Sequence, residues 1–232
     1  MSTLLKVGEP RRLYQQIADR IRQLIVAERF PAGSRLPSER DLATQLGVSR
    51  PSLREALIAL EIDGSVEIRM GSGVYVLATS GRTDTQGFSM GESPSELMQA
   101  RATLESSVVV LACARIEPDG LTVLRKSIEE MHAEVERGRR PLDQDRSFHV
   151  TIAASSGNSV LTRLVAELFD ERHSPISEKM QARFESPATW AAAVTEHKAI
   201  LAALELRDPM LAQASMQVHL EASKRRWLAD SE

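Results

Sequence analysis

Cysteine is almost missing: Cys113 stands alone among 232 residues, so no disulfide framework forms within the chain. No run of about 18 apolar residues occurs, and the expectation is a protein with no membrane partner. Met1 to Pro10 lacks the apolar core of a signal peptide, which points to the cytoplasm. Lysine is missing from residues 11–69, where all ten cationic side chains are arginine. Arginine is the side chain that forks onto phosphate and guanine. No H-E-x-x-H motif occurs, and no internal repeat is visible.

What is present is ordinary in bulk, 42% hydrophobic and 26% charged, but unevenly placed. Residues 1–78 hold 11 Lys+Arg and 9 Asp+Glu, whereas residues 79–232 hold 18 and 23, within an overall net charge of −3. All five histidines lie in the acidic part. Two modules with different partners are implied. Their expected bounds are 1–78 and 94–232, with the Gly/Ser/Thr-rich stretch 79–93 as linker.

In the first module, Leu13, Ile17, Ile21, Leu24 and Ile25 fall on one stripe of a helix over 11–29. Ser38 opens a short second helix that Gly47 closes. Ser49 caps a third, with Pro51 in its first turn, where a missing N–H costs nothing. Val66–Arg69 and Val74–Leu77 alternate about Met70-Gly71-Ser72-Gly73 and predict a β-hairpin. Three helices and a hairpin make a winged helix-turn-helix. Recognition helices present their N-terminal residues to base edges. Here that end offers Ser49, Arg50, Ser52 and Arg54, and its free N–H groups favour a phosphate.

The stretches Leu36-Pro37-Ser38-Glu39-Arg40-Asp41-Leu42-Ala43, Leu46-Gly47-Val48-Ser49-Arg50, Leu53-Arg54-Glu55-Ala56-Leu57 and Gly71-Ser72-Gly73-Val74-Tyr75-Val76 resemble the GntR family of bacterial transcription regulators. The resemblance implies operator contacts from Arg40, Arg50 and Arg54. It also implies a wing whose Gly71 lets the hairpin tip approach the minor groove. Met70 stands where some relatives have a polar residue. Arg20, Arg22 and Arg29 read as a solvated face.

The second module reads as helical throughout, at about 94–116, 118–137, 142–156, 159–171, 187–206 and 208–229. Polar groups interrupt its apolar stripes. Asp145 and His149 are four apart and share a face with Leu142, Ile152 and Ala153. His197 lies on the stripe Trp190, Ala193, Val194, Ile200, Leu201, Leu204, and His219 lies between Leu211, Ser215, Val218 and Ala222. Each alone reads as a satisfied core group; together they suit a metal site in a bundle interior. His132 reads as a surface residue. Arg101 interrupts the stripe Leu97, Leu104, Val108, Leu111, and two readings stay open: a bound carboxylate, or an internal pair with an acid such as Glu105 or Asp170.

Asp145-Arg146-Ser147-Phe148-His149, Gly157-Asn158, Glu196-His197-Lys198-Ala199-Ile200 and His219-Leu220 resemble the FCD effector domain of the FadR branch of that family. The resemblance implies a divalent metal on Asp145, His149, His197 and His219, with zinc first and nickel or manganese as alternatives. It places Arg101 toward a ligand carboxylate. Asp170-Glu171-Arg172-His173-Ser174-Pro175 and Trp190 resemble hexuronate-type regulators, which makes Arg172 and His173 candidates for ligand hydroxyls.

The expected protein is mostly α-helical and not an enzyme. It is a homodimeric, ligand-responsive transcription regulator, of repressor type, on palindromic double-stranded operator DNA. Its effector is a small carboxylate or sugar acid held beside the metal. The rivals are a metal-dependent hydrolase fused to a DNA-binding module, and a metal sensor in which the ion is the signal.

Overall fold

The computed structural model describes residues 12–78 and 90–228. Two compact units divide the chain, Met1–Ser93 and Pro94–Glu232. Residues 79–89 of the expected linker lie outside the described residues. Its last four residues belong to the first unit. The Tyr14 hydroxyl donates to the Gly91 carbonyl at 3.0 Å, Arg12 holds Glu92 at 2.8 and 2.5 Å, and the Ser93 hydroxyl donates to Glu55 at 2.7 Å.

The first unit is a winged helix-turn-helix. Helix α1 (Leu13–Ala27) buries Tyr14, Ile17, Ala18 and Ile21. Helix α2 (Glu39–Leu46) is capped by Ser38, whose hydroxyl accepts from the Asp41 amide, and it ends at Gly47 with φ 65°. That left-handed turn is cheap only for glycine. Helix α3 (Arg50–Ile62) starts at Ser49, whose hydroxyl accepts from the Ser52 amide. Its residues Leu53, Leu57 and Leu60 are fully buried, and burying each contributes about 1.5–3 kcal/mol.

Strands β1 (Val66–Arg69) and β2 (Gly73–Val76) pair antiparallel, with Val66 opposite Val76 and Arg69 opposite Gly73. Residues 33–36 add to the outer side of β2: the Leu36 amide donates to Val74 and the Val76 amide to Ser34, at 2.8 and 2.9 Å. At Gly73 a Cβ would stand 2.6 Å from Arg35 Nε, and φ is 118°, so the wing needs glycine there.

The second unit is all helical: α4 (Pro94–Arg115), α5 (Pro118–Glu136), α6 (Leu142–Ser155), α7 (Ser159–Asp170), a one-turn 3₁₀ helix (Glu171–His173), α8 (Pro175–Phe184), α9 (Pro187–Glu205) and α10 (Pro209–Leu228). Proline occupies the first turn of α5, α8 and α9, where its ring is preorganised for the helix. Asn158 caps α7 through the Val160 and Leu161 amides. Helix α8 was not anticipated. Its start signal Ser174-Pro175 sat inside a stretch read as a ligand motif, and only Ile176 and Met180 mark its buried stripe.

Helix α4 holds no unbroken apolar run, although by length and composition alone it could cross a membrane. Yet Arg101 and Glu105 are both buried on it and paired with each other. It packs lengthwise against α10, as the core helix of the bundle. The buried face of α10 is also one step from the stripe expected: Ala212, Met216, His219, Leu220 and Trp227 are buried, whereas Leu211 and Val218 are exposed.

Candidate metal centre and DNA-reading face

Asp145 and His149 come from α6, His197 from α9 and His219 from α10. One ligand-type atom from each lies within 4.8 Å of the others. All three rings are buried at 1–3% exposure. Their outer nitrogens are all engaged. His149 Nδ1 meets Glu105 Oε2 at 2.5 Å, His197 Nδ1 meets the Ala193 carbonyl at 2.7 Å, and His219 Nδ1 meets Glu196 Oε2 at 2.8 Å. An oxygen acceptor at every Nδ1 suits the tautomer that carries its proton there, which in a neutral ring leaves Nε2 as a lone pair.

Those lone pairs converge. His149 Nε2 and His197 Nε2 are 3.3 Å apart, and Asp145 Oδ1 is 3.3 and 3.0 Å from them. In that tautomer Asp145 Oδ1 is a buried acceptor without a hydrogen bond. Inward-facing lone pairs repel one another unless a cation sits among them. The residues therefore fit a divalent metal, with one carboxylate and three imidazoles as the donor set.

The surrounding charges act differently on the individual groups. Burial works against the charge on His219, and with His197 beside it holds the ring down at about 3, so it is neutral. Burial opposes the charge on His149 as well, but the Glu105 carboxylate lifts that ring above its usual value. Glu105 resists its own burial through Arg101 and His149, which hold its carboxyl at about 2. Asp145 is likewise held well below the usual carboxylate range; burial opposes this, and the close approach of the His149 and His197 rings with the charge of Arg172 outweighs it.

Arg101 sits behind this centre. Its Nε meets Glu105 Oε1 at 2.7 Å, and its guanidinium lies 4.7 Å from the Phe169 ring centroid. Of the two readings left open by the sequence, the structure shows the internal pair. Arg101 does not line the cavity beside the metal centre, and neither does His173, which is exposed. Arg172 does line the cavity; its Nη1 meets Asp145 Oδ2 at 2.6 Å.

That cavity opens on Asp145, His197 and His219 and is also lined by Arg140, Glu185, Trp190, Arg226 and Trp227. Its volume is about 40 Å³, room for a few waters and short of the roughly 300–1,000 Å³ of a ligand pocket. Reasoning from sequence missed Arg140, Glu185, Arg226 and Trp227. It raised Glu105, an acid four residues from Arg101 on an apolar helix, as a partner for that arginine but not as the acceptor for His149.

On the first unit, Arg40, Ser49 and Arg50 are exposed and Ser52 is half-buried. The Ser49 and Ser52 hydroxyls lie 2.8 Å apart at the start of α3. Gly71 is exposed at the hairpin tip with φ 69°. Arg54 differs from the others: it is 7% exposed, and its guanidinium meets Glu39 Oε2 at 3.0 Å.

A helix-turn-helix reading head and a helical bundle carrying a metal-type cluster beside a cavity define a DNA-binding regulator with a sensor domain. Residues 13–76 match the bacterial regulatory proteins of the gntR family, and residues 96–222 match the FCD domain. The chain belongs to the GntR family of transcriptional regulators, in the branch with an FCD domain. The Exu regulon transcriptional regulator of Escherichia coli K12 is 34% identical over 227 residues, covering 95% of this chain and 86% of that protein. The Uxu operon transcriptional regulator of the same strain is 34% identical over 224 residues, covering 94% and 87%. The solved structure of E. coli McbR/YncC has the same fold, with a TM-score of 0.51, 21% identity and coverage of 92% and 96%.

Proposed function

We propose that this regulator is a repressor that binds palindromic operator DNA as a cytoplasmic homodimer and leaves it when a small sugar acid, of hexuronate type, binds beside a divalent metal. The reading head is residues 1–78 and the sensor residues 94–232. Arg40, Ser49, Arg50, Ser52 and Gly71 face the DNA, while Arg54 sets the entry of α3 through Glu39. Asp145, His149, His197 and His219 hold the metal. When bound, the metal supplies a Lewis-acidic position for a ligand carboxylate or hydroxyl.

The observation that carries this reading is the contact pattern of the three histidines: every Nδ1 meets an oxygen, His149 Nε2 and His197 Nε2 lie 3.3 and 3.0 Å from Asp145 Oδ1, and one ligand-type atom of each of the four residues lies within 4.8 Å of the others. The cavity beside them has Arg140, Arg172 and Arg226 in its walls, which suits an anion. The kinship with Exu and Uxu regulators supports a sugar acid. Ligand and DNA need only bind different states of one equilibrium.

The test is a thermal-shift screen of sugar acids against the metal-loaded chain, followed by DNA affinity with and without the best hit. A hit that stabilises only metal-loaded protein and weakens DNA binding supports the reading. Stabilisation by metal alone, with DNA affinity following the metal, would favour the metal-sensor alternative instead.

A further inference from the structure

Glu185 caps the C-terminal end of α8, at the corner that leads into α9. Its carboxylate is 9% exposed and receives donors from four separate places in the sequence. Arg140 Nε reaches Oε2 at 2.9 Å and Arg172 Nη2 reaches Oε1 at 3.5 Å. Trp190 Nε1 donates to Oε2 at 3.0 Å and Trp227 Nε1 to Oε1 at 2.9 Å. These are the chain's two tryptophans. Two guanidiniums and two indoles thus point at one carboxylate, within the cavity beside the metal-type cluster.

This set of donors offers more than Glu185 uses. Arg140 Nη2 and Arg172 Nε are buried with no hydrogen-bond partner among the described residues. An unsatisfied buried guanidinium N–H is costly. The Arg172 contact is also long, at 3.5 Å, where a charge-assisted bond shortens to about 2.7–2.9 Å when the geometry allows. Glu185 therefore fits the place imperfectly, as a tethered carboxylate does, and its side chain occupies space in a cavity of only about 40 Å³.

We propose that Arg140, Arg172, Trp190 and Trp227 form a carboxylate seat that Glu185 fills, and that an incoming carboxylate binds there by expelling Glu185. Expulsion frees the α8–α9 corner and opens the cavity. The seat deepens the sugar-acid reading above and rests on it for the nature of the natural ligand. It also sets the selectivity of the cavity: a neutral sugar cannot compete with an ionised side chain for two guanidiniums, whereas an acid can.

Acetate is the probe, because it is the free form of the group removed in Glu185→Ala. Metal-loaded full-length parent, Glu185→Ala and Glu185→Gln are titrated with acetate against chloride at matched ionic strength. Tryptophan emission and Tm are the readouts, since both indoles touch the seat. In Glu185→Ala, acetate should raise Tm saturably and return the emission toward that of the parent, and chloride should not. Glu185→Gln keeps an acceptor oxygen and should fold even if the Ala variant does not. It should bind acetate about tenfold or more tightly than the parent, the worth of one charge-assisted bond. Equal responses of parent and variants, or equal responses to acetate and chloride, would overturn the seat. D-glucuronate, run in parallel, separates the two claims. Failure to bind any of the three proteins overturns the sugar-acid reading, while the acetate titration alone decides the seat.

Discussion

Replacing Arg101 by Met separates two roles for this buried cation. Arg101 is 1% exposed and Glu105 2% exposed, and their pair is 2.7 Å long. Removing one partner of a buried pair costs about 3–5 kcal/mol, because the other charge stays behind. His149 remains beside Glu105 at 2.5 Å, so the lower end applies, about 3 kcal/mol. At about 2–4 °C per kcal/mol for a chain of this size, Tm should fall roughly 6–12 °C. Metal affinity should fall about 10–100-fold, as for loss of an outer-shell partner, because Glu105 no longer orients His149 firmly. The double variant Arg101→Met with Glu105→Leu should regain most of the Tm, since no lone charge is left. It should not regain metal affinity, since His149 Nδ1 then has no acceptor. Chelator competition and calorimetric melting measure the two quantities. Metal affinity within twofold of the parent in Arg101→Met, together with a lost response to carboxylate ligands, would refute the reasoning and return Arg101 to the ligand.

Arg50→Ala should weaken operator binding by about 1–3 kcal/mol with Tm unchanged; fluorescence anisotropy and a melt read both. Arg54→Ala should lower Tm as well as DNA affinity, because Arg54 is buried against Glu39; a melt that matches the parent's would argue against its packing role. Chelation of the metal should lower Tm in a way that depends on metal concentration, and added zinc should restore it. Each 100-fold excess of free metal over its Kd contributes about 2.7 kcal/mol.

The reading head was legible because its punctuation is local. Ser38, Gly47, Ser49 and Pro51 set the helix ends, and the glycines at 71 and 73 set the turn, by rules that involve a few neighbours each. The metal-type set was legible for a different reason: Asp145, His149 and His197 break apolar stripes, and a polar group on such a face needs a partner. His219 was found although its stripe was misplaced by one step, since Leu211 and Val218 are exposed. The partner of Arg101 was not decidable from sequence, because an acid four residues along the helix and a bound ligand satisfy an arginine equally well. Glu185 was invisible altogether. Its seat is assembled from residues 140, 172, 190 and 227, and nothing local marks a helix-end glutamate as the point where they meet.

Elemental analysis bears most directly on the sensor. Parent and His197→Ala are purified, stripped, reconstituted with zinc, nickel or manganese, and passed through a desalting column before measurement. The parent should carry one ion per chain and His197→Ala should carry none, with a lower Tm. No ion in the purified or the reconstituted parent, or an equal amount retained by the variant, would contradict a metal held by Asp145, His149, His197 and His219.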